Sequence, residues 1–194
     1  MNRISHDIRT PINGIMGMLE ILRKNEHNPE KMEECMDKIQ VSADHLLALV
    51  NDVLDMNKLE TNQIQEENEP FDLEVLMREV AVLMNPLLEQ NQITHRVHRK
   101  NIQHTALKGS PLQLRQIMLN LFSNAVKYSD GGFSVSLDAK GIFQFKNQAS
   151  GLDEVQTGHL FDRFYTVNSG SHSTGLDLSI AKTLTEEMHG HIDA

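Results

Sequence analysis

Met32, Met36, Ile39, Ala43, Leu46, Val50 and Val53 follow one another at spacings of four, three, four, three, four and three. That is an unbroken heptad seam, and a segment that carries one folds as a long helix with an apolar partner along its length. Cys35, Leu47 and Leu54 widen the seam. Residues 4–24 also repeat at helical spacing, through Ile4, Ile8, Ile12, Ile15, Leu19 and Leu22. Pro11 falls inside this pattern and should remove one backbone hydrogen bond and bend the helix just after His6. Asn25 to Pro29 is a polar break. Two helices joined in this way make an antiparallel hairpin with too little apolar depth to be stable alone. Two hairpins paired into a four-helix bundle bury both faces, so a homodimer is expected. The alternative is that the hairpin packs on the rest of its own chain.

The pattern fades into polar residues from Glu60 to Glu69, which reads as a linker. Beyond it, Phe71-Asp72-Leu73 opens a helix with Asp72 as N-cap and Leu73, Leu76, Val80, Leu83 and Leu87 on one face. Ile93–His98 reads as a strand. Lys108 to Pro111 reads as a turn, with Ser110 as cap and Pro111 at the first helical position of the next helix. Phe133–Leu137 and Ile142–Phe145 alternate as strands around Ala139-Lys140-Gly141. A last helix covers roughly Ser179 to Met188, and His189–Ala194 resembles the start of another strand. The fold class expected is α plus α/β. Residues 1–65 form the hairpin of a dimeric four-helix bundle, and residues 66–194 an α/β sandwich with helices on one face of a sheet.

Composition narrows the function. A net charge of -9 argues against broad nucleic-acid binding. The single cysteine, Cys35, excludes an internal disulfide framework and fits a reducing compartment. No apolar run approaches the roughly 20 residues of a membrane span, and charged residues follow Met1 too soon for a signal peptide. A cytoplasmic location without membrane contact is expected for this segment. The histidines show no metal-binding spacing: His95 and His98 fall on opposite faces of a strand, and His189 and His191 lack a third ligand nearby.

Two runs carry chemistry. Ser5-His6-Asp7-Ile8-Arg9-Thr10-Pro11 sets a histidine beside a carboxylate, which can hold one ring nitrogen protonated and leave the other as nucleophile. In Leu114–Tyr128, Asn120 and Asn124 lie one above the other on a helix, with Lys127 on the same side. Two amides facing a triphosphate can hold Mg²⁺ and its waters, while a lysine neutralises phosphate charge. Together and in this order, the runs resemble the phospho-acceptor and asparagine boxes of sensor histidine kinases of two-component systems. Leu160–Tyr165 is similar to that family's phenylalanine box.

The resemblance implies an ATP-dependent kinase that phosphorylates His6 and passes the phosphoryl group to an aspartate of a response-regulator receiver domain. Asp7 would serve as base, and Thr10 would orient a water that hydrolyses the phospho-regulator. The ATP domain implied is of the GHKL type. Asn124 would bind Mg²⁺ with Asn120 in support. Lys127, Tyr128, Asn147, Gly151, Phe161, Thr174, Gly175 and Leu176 would line the nucleotide, with Asn168 to Ser173 as its lid.

Two boxes depart from the family. Asn147-Gln148-Ala149-Ser150-Gly151 stands where Asp-x-Gly-x-Gly is usual, although Asn147 keeps an acceptor oxygen for adenine. Ser173-Thr174-Gly175-Leu176-Asp177-Leu178 stands for Gly-x-Gly-x-Gly-Leu. There Asp177 puts a carboxylate where backbone amides should meet phosphate, a cost unless Mg²⁺ or Lys127 compensates. Two other readings therefore stay open. One is a pseudokinase scaffold or phosphatase that does not use ATP. The other is a phosphorelay intermediate, in which His6 receives its phosphoryl group from a phospho-aspartate.

Overall fold

The computed structural model describes residues 2–60, 68–102, 104–148, 152–167 and 174–194. The chain divides into two compact units, one built on the first 60 residues and one on most of the remainder. The 65/66 boundary expected from the sequence lies outside the described residues, as does most of the linker.

The first unit is a helical hairpin of α1 (Asn2–Lys24) and α2 (Pro29–Glu60). Arg23 and Lys24 sit in the last turn of α1, where cations suit the helix dipole. In the connection, the Asn25 amide donates to the Ile21 carbonyl and Asn28 accepts from the Lys31 N–H, so Asn28 caps α2. Helix α1 continues through Pro11, which is buried. Gly14 lies against Ser42 so closely that a Cβ would come within 3.3 Å of its hydroxyl. The side of α2 turned to α1 runs along Cys35, Ser42 and Leu49, seven residues apart, with Cys35 and Leu49 buried. Met32, Ile39, Ala43, Leu46 and Val53 of the apolar stripe are half-buried, and part of it is uncovered: Met36 is 53% exposed, Leu47 61% and Leu54 51%.

The second unit is mixed α/β. Its elements are β1 (Glu69–Asp72), α3 (Leu73–Gln90), β2 (Thr94–Lys100), β3 (Ala106–Gly109), α4 (Pro111–Lys127), β4 (Gly132–Asp138), β5 (Phe143–Asn147), α5 (Glu154–His159) and α6 (Asp177–Glu187). A sheet of order β2-β4-β5 has β2 parallel to β4 and β5 antiparallel to it, and β1 and β3 form a separate antiparallel pair. Alternation along β4 buries Phe133, Val135 and Leu137 on one face. These pack with Leu73, Leu76, Val80, Met84 and Leu88 of α3 and with Met118, Phe122, Ala125 and Val126 of α4. Phe122 meets Phe133 and Phe145 edge-on at centroid distances of 5.6 and 5.1 Å.

Three differences from the sequence expectation have physical causes. The buried stripe of α3 runs through Met84 and Leu88, leaving Leu83 58% exposed. Both stripes satisfy helical spacing, and only the position of the sheet decides between them. The short elements β1, β3 and α5 have no counterpart in the sequence expectation, because four to six residues offer too little periodicity. Residues 189–194 form no strand, which corrects that reading. His189 adopts a left-handed φ of 60° and the Gly190 N–H returns to the Thr185 carbonyl, so the segment is spent closing α6.

Asp72 is the N-cap of α3, accepting from the N–H groups of Glu74 and Val75, and also takes the Thr105 hydroxyl. The bond from the Glu74 N–H, above all, holds its carboxyl below the ordinary carboxylate value. A lowered carboxylate stabilises the fold above its unfolded-state pKa, and that contribution is lost as pH falls through the folded value. Asp72→Asn keeps a cap but cannot titrate, so its unfolding midpoint should fall less steeply than the parent's below about pH 4. Equal acid limbs in denaturation at stepped pH would remove this role. Phe122→Ala should cost the second unit about 3–5 kcal/mol in urea unfolding.

Candidate functional site

The asparagine-bearing helix starts where the sequence puts it. Ser110 accepts from the Gln113 N–H and Pro111 takes the first turn, where a missing N–H costs nothing. From there a polar stripe runs at spacings of four and three through Gln113, Ile117, Asn120, Asn124 and Lys127. This stripe faces α6, which is antiparallel to α4 and bonded to it at both ends. Gln113 Nε2 donates to Glu187 Oε2 at 3.3 Å at one end, and Lys127 Nζ meets Asp177 Oδ2 at 2.8 Å at the other. Burial pushes the Glu187 carboxyl above its ordinary value.

Between these two bonds lie the amides. Asn120 is buried, and its Oδ1 accepts from Gln116 Nε2 at 3.1 Å. Its Nδ2 is buried without a hydrogen-bond partner among the described residues, an arrangement that is costly unless something else accepts from it. Asn124, one turn on, is half-buried. Tyr128 ends the helix, and its carbonyl accepts from Asn147 Nδ2 at 3.0 Å. That bond ties the end of α4 to the end of β5 and leaves Asn147 Oδ1 as an acceptor. An aspartate at 147 would set a carboxylate against the same carbonyl.

Phe161 follows α5 and is half-buried, with Lys182 Nζ 6.0 Å from its ring centroid. Further along, Phe164 adopts a φ of 64°, an outlier for a bulky side chain, and its N–H donates to the Gly175 carbonyl at 2.9 Å. Gly175 is itself left-handed, at φ 66°, and a Cβ there would stand 2.6 Å from the Tyr165 carbonyl. The one glycine retained in its box is thus required twice, by its φ and by the close approach. Leu176 is fully buried and Thr174 half-buried. Gly151 and the lid, residues 168–173, lie outside the described residues.

In the hairpin, His6 is exposed on α1, and the Thr10 hydroxyl donates to the His6 carbonyl at 3.1 Å. The Asp7 side chain lies outside the described residues. Of the residues singled out in the sequence, the second unit therefore brings together Asn120, Asn124, Lys127, Tyr128 and Asn147 along the α4–α6 seam and its end. The Gln113–Glu187 bond had no signal in the sequence. A surface groove, lined by Val75, Arg78, Glu79, Val82, Leu83 and Arg115, opens between α3 and α4 on the other side of α4. Arg115 of the Leu114–Tyr128 run lines it, but none of the candidate site residues does.

The donor set suits a magnesium nucleotide in kind. An amide oxygen at Asn124 is the hard ligand Mg²⁺ prefers, and the orphaned Asn120 Nδ2 is a donor available to a phosphate oxygen or a bound water. Among the described residues, the Asp177 carboxylate runs against it.

Comparison with known proteins bears on the family and the fold. Residues 1–62 match the family described as His Kinase A (phospho-acceptor) domain, and residues 109–194 match the Histidine kinase-, DNA gyrase B-, and HSP90-like ATPase family. The sensor protein GacS of Pseudomonas syringae pv. syringae is 35% identical over 204 residues, covering 97% of this chain and 22% of that protein. Among solved structures, full-length ShkA in complex with AMPPNP superposes with a TM-score of 0.70 at 31% identity, covering 97% of this chain and 41% of that one. Histidine kinase ThkA in complex with response regulator protein TrrA superposes with a TM-score of 0.75 at 22% identity, covering 97% and 54%, and so shares the fold. The chain belongs to the sensor histidine kinases and carries their catalytic core, a phospho-acceptor helical hairpin followed by a GHKL-type ATPase domain. It spans about a fifth of the length of GacS.

Gly175→Ala combines a strained φ with a clash against backbone, so it should destabilise the second unit by more than about 1 kcal/mol. A thermal melt equal to the parent's would show that the turn accepts a side chain.

Proposed function

We propose that this chain uses ATP to phosphorylate His6 and hands the phosphoryl group to an aspartate of a response-regulator receiver domain. The observation that carries the reading is the polar stripe of α4, where amides and a lysine converge beside α6, on the same chain as an exposed histidine in a phospho-acceptor match. The AMPPNP bound to ShkA and the regulator bound to ThkA support nucleotide and receiver as the two partners.

The roles follow from the chemistry of each group. An unprotonated ring nitrogen of His6 attacks the γ-phosphorus, the bond to the β–γ bridging oxygen breaks, and ADP leaves. Asp7 accepts a hydrogen bond from the ring's other N–H and offsets the positive charge that develops. Mg²⁺, when bound, draws charge from the phosphate oxygens. Asn124 would hold it, Asn120 would donate to a phosphate oxygen or a metal-bound water, and Lys127 would pair with phosphate. Asn147 offers its free oxygen to the adenine amino group, while Tyr128, Gly151, Phe161, Thr174, Gly175 and Leu176 border the nucleotide. Thr10 spends its hydroxyl proton on the His6 carbonyl, so its oxygen lone pairs remain to orient a water for hydrolysis of the phospho-regulator. The uncovered stripe at Met36, Leu47 and Leu54 is the face that pairs two hairpins into a homodimer. The site of action is the cytoplasm; no helix among the described residues is long and apolar enough to cross a membrane.

One observation favours the scaffold or phosphatase as a second reading. The phosphate-binding lysine already has a carboxylate partner.

Incubation with γ-labelled ATP and Mg²⁺ should give acid-labile label on the parent chain and none on His6→Gln. Absence of label on the parent, with receiver dephosphorylation that depends on Thr10, would put the second reading first. The dimer is checked by light scattering, where Leu47→Asp should shift the parent's doubled mass towards that of one chain.

A further inference from the structure

We infer that Asp177 is a resident counter-anion for Lys127 and sets how much phosphate charge this site accepts. This rests on the nucleotide-site reading above. The two groups meet at 2.8 Å, with the aspartate side chain 22% exposed and the lysine 41%. Asp177 lies in the first turn of α6, and the N-cap residue Leu176 supplies no side-chain acceptor there. The carboxylate therefore stands at the positive end of the helix as well as beside the lysine. It does so without a left-handed φ, so the backbone at 177 does not itself call for glycine.

The pairing is held in place from a distance. Ile180, Ala181 and Leu184 of α6 are buried, and the Gln113–Glu187 bond fixes the far end of the two helices. Lys127 is thus kept opposite Asp177. A phosphate that comes to Lys127 must displace this partner, and once there it has an uncompensated carboxylate for a neighbour. The penalty acts on phosphate charge and leaves the base and ribose untouched. It grows from adenosine to ADP to ATP, and a divalent cation between the two anions lowers it. Asp177 thus works as a specificity-determining residue, favouring the metal-loaded nucleotide over the free one.

The experiment compares adenosine, ADP and ATP binding, each with and without Mg²⁺, by titration calorimetry on the 194-residue parent and on Asp177→Asn. Asparagine keeps the size and removes the charge, and Asp177→Ser is the second variant should the first melt early. The inference expects adenosine affinity to stay the same and metal-free ATP affinity to rise about threefold or more, with a smaller rise when Mg²⁺ is present. In a Lys127→Met background, the Asp177→Asn gain should shrink, because part of it comes from freeing the lysine. Equal ATP affinity in parent and variants, with adenosine bound by all, overturns the inference and leaves the nucleotide site standing. A loss of Mg²⁺-dependent ATP affinity in Asp177→Asn overturns it too, since the carboxylate would then be helping to hold the cation. Binding of neither adenosine nor ATP to any of the chains removes the nucleotide-site reading, and the inference with it.

Discussion

Helix α4 is packed from two sides, and the second unit depends on it. Met118, Phe122, Ala125 and Val126 face the sheet and α3, while Ile117 and the polar stripe face α6. A helix gripped in this way cannot turn about its axis without unburying one face or the other. The hydrophobic burial on the sheet side therefore fixes where the amides on the other side point. The orientation of the proposed phosphate-facing amides thus comes from apolar packing on the opposite side of the helix, and the polar bonds to α6 at each end add direction.

The hairpin answers to a different constraint. Its apolar stripe is wider than one neighbouring helix can cover, so α1 shields Cys35 and Leu49 while Met36, Leu47 and Leu54 stay in solvent. A long helix is marginal unless its apolar face is buried, and α2 alone buries only part of it. His6, the proposed acceptor, is exposed on the same hairpin.

Much of this was legible in the residues. The caps Asp72 and Ser110 and the asparagine stripe are local patterns, and each needs only helix geometry to be read; α2 was legible as a helix, but within the hairpin its buried line runs through Cys35 and Leu49 and not through the seam from Met32 to Val53. What was not legible depends on partners distant in sequence. Leu83 and Met84 fit α3 equally well until β4 chooses between them. The bond between Gln113 and Glu187 joins residues that no local rule connects. Gly175 could be recognised as a box residue, but its reason, the Tyr165 carbonyl against its Cα, appears only in three dimensions. Asp177 was readable as a misplaced charge. Lys127 could be named as a group that would compensate it, but the direct 2.8 Å pairing of the two appears only in three dimensions.

The parallel pairing of β2 with β4 bears on the order in which the molecule is made. Thr94 lies opposite Gly132 with the whole of β3 and α4 in between, so this ladder closes a long loop before it gains anything. The hairpin needs only a short turn, and contacts between near neighbours form fast. On a chain leaving the ribosome it is also the earlier segment. The hairpin can therefore close while the second unit is still open, so the proposed acceptor helix takes shape before the half that resembles an ATPase.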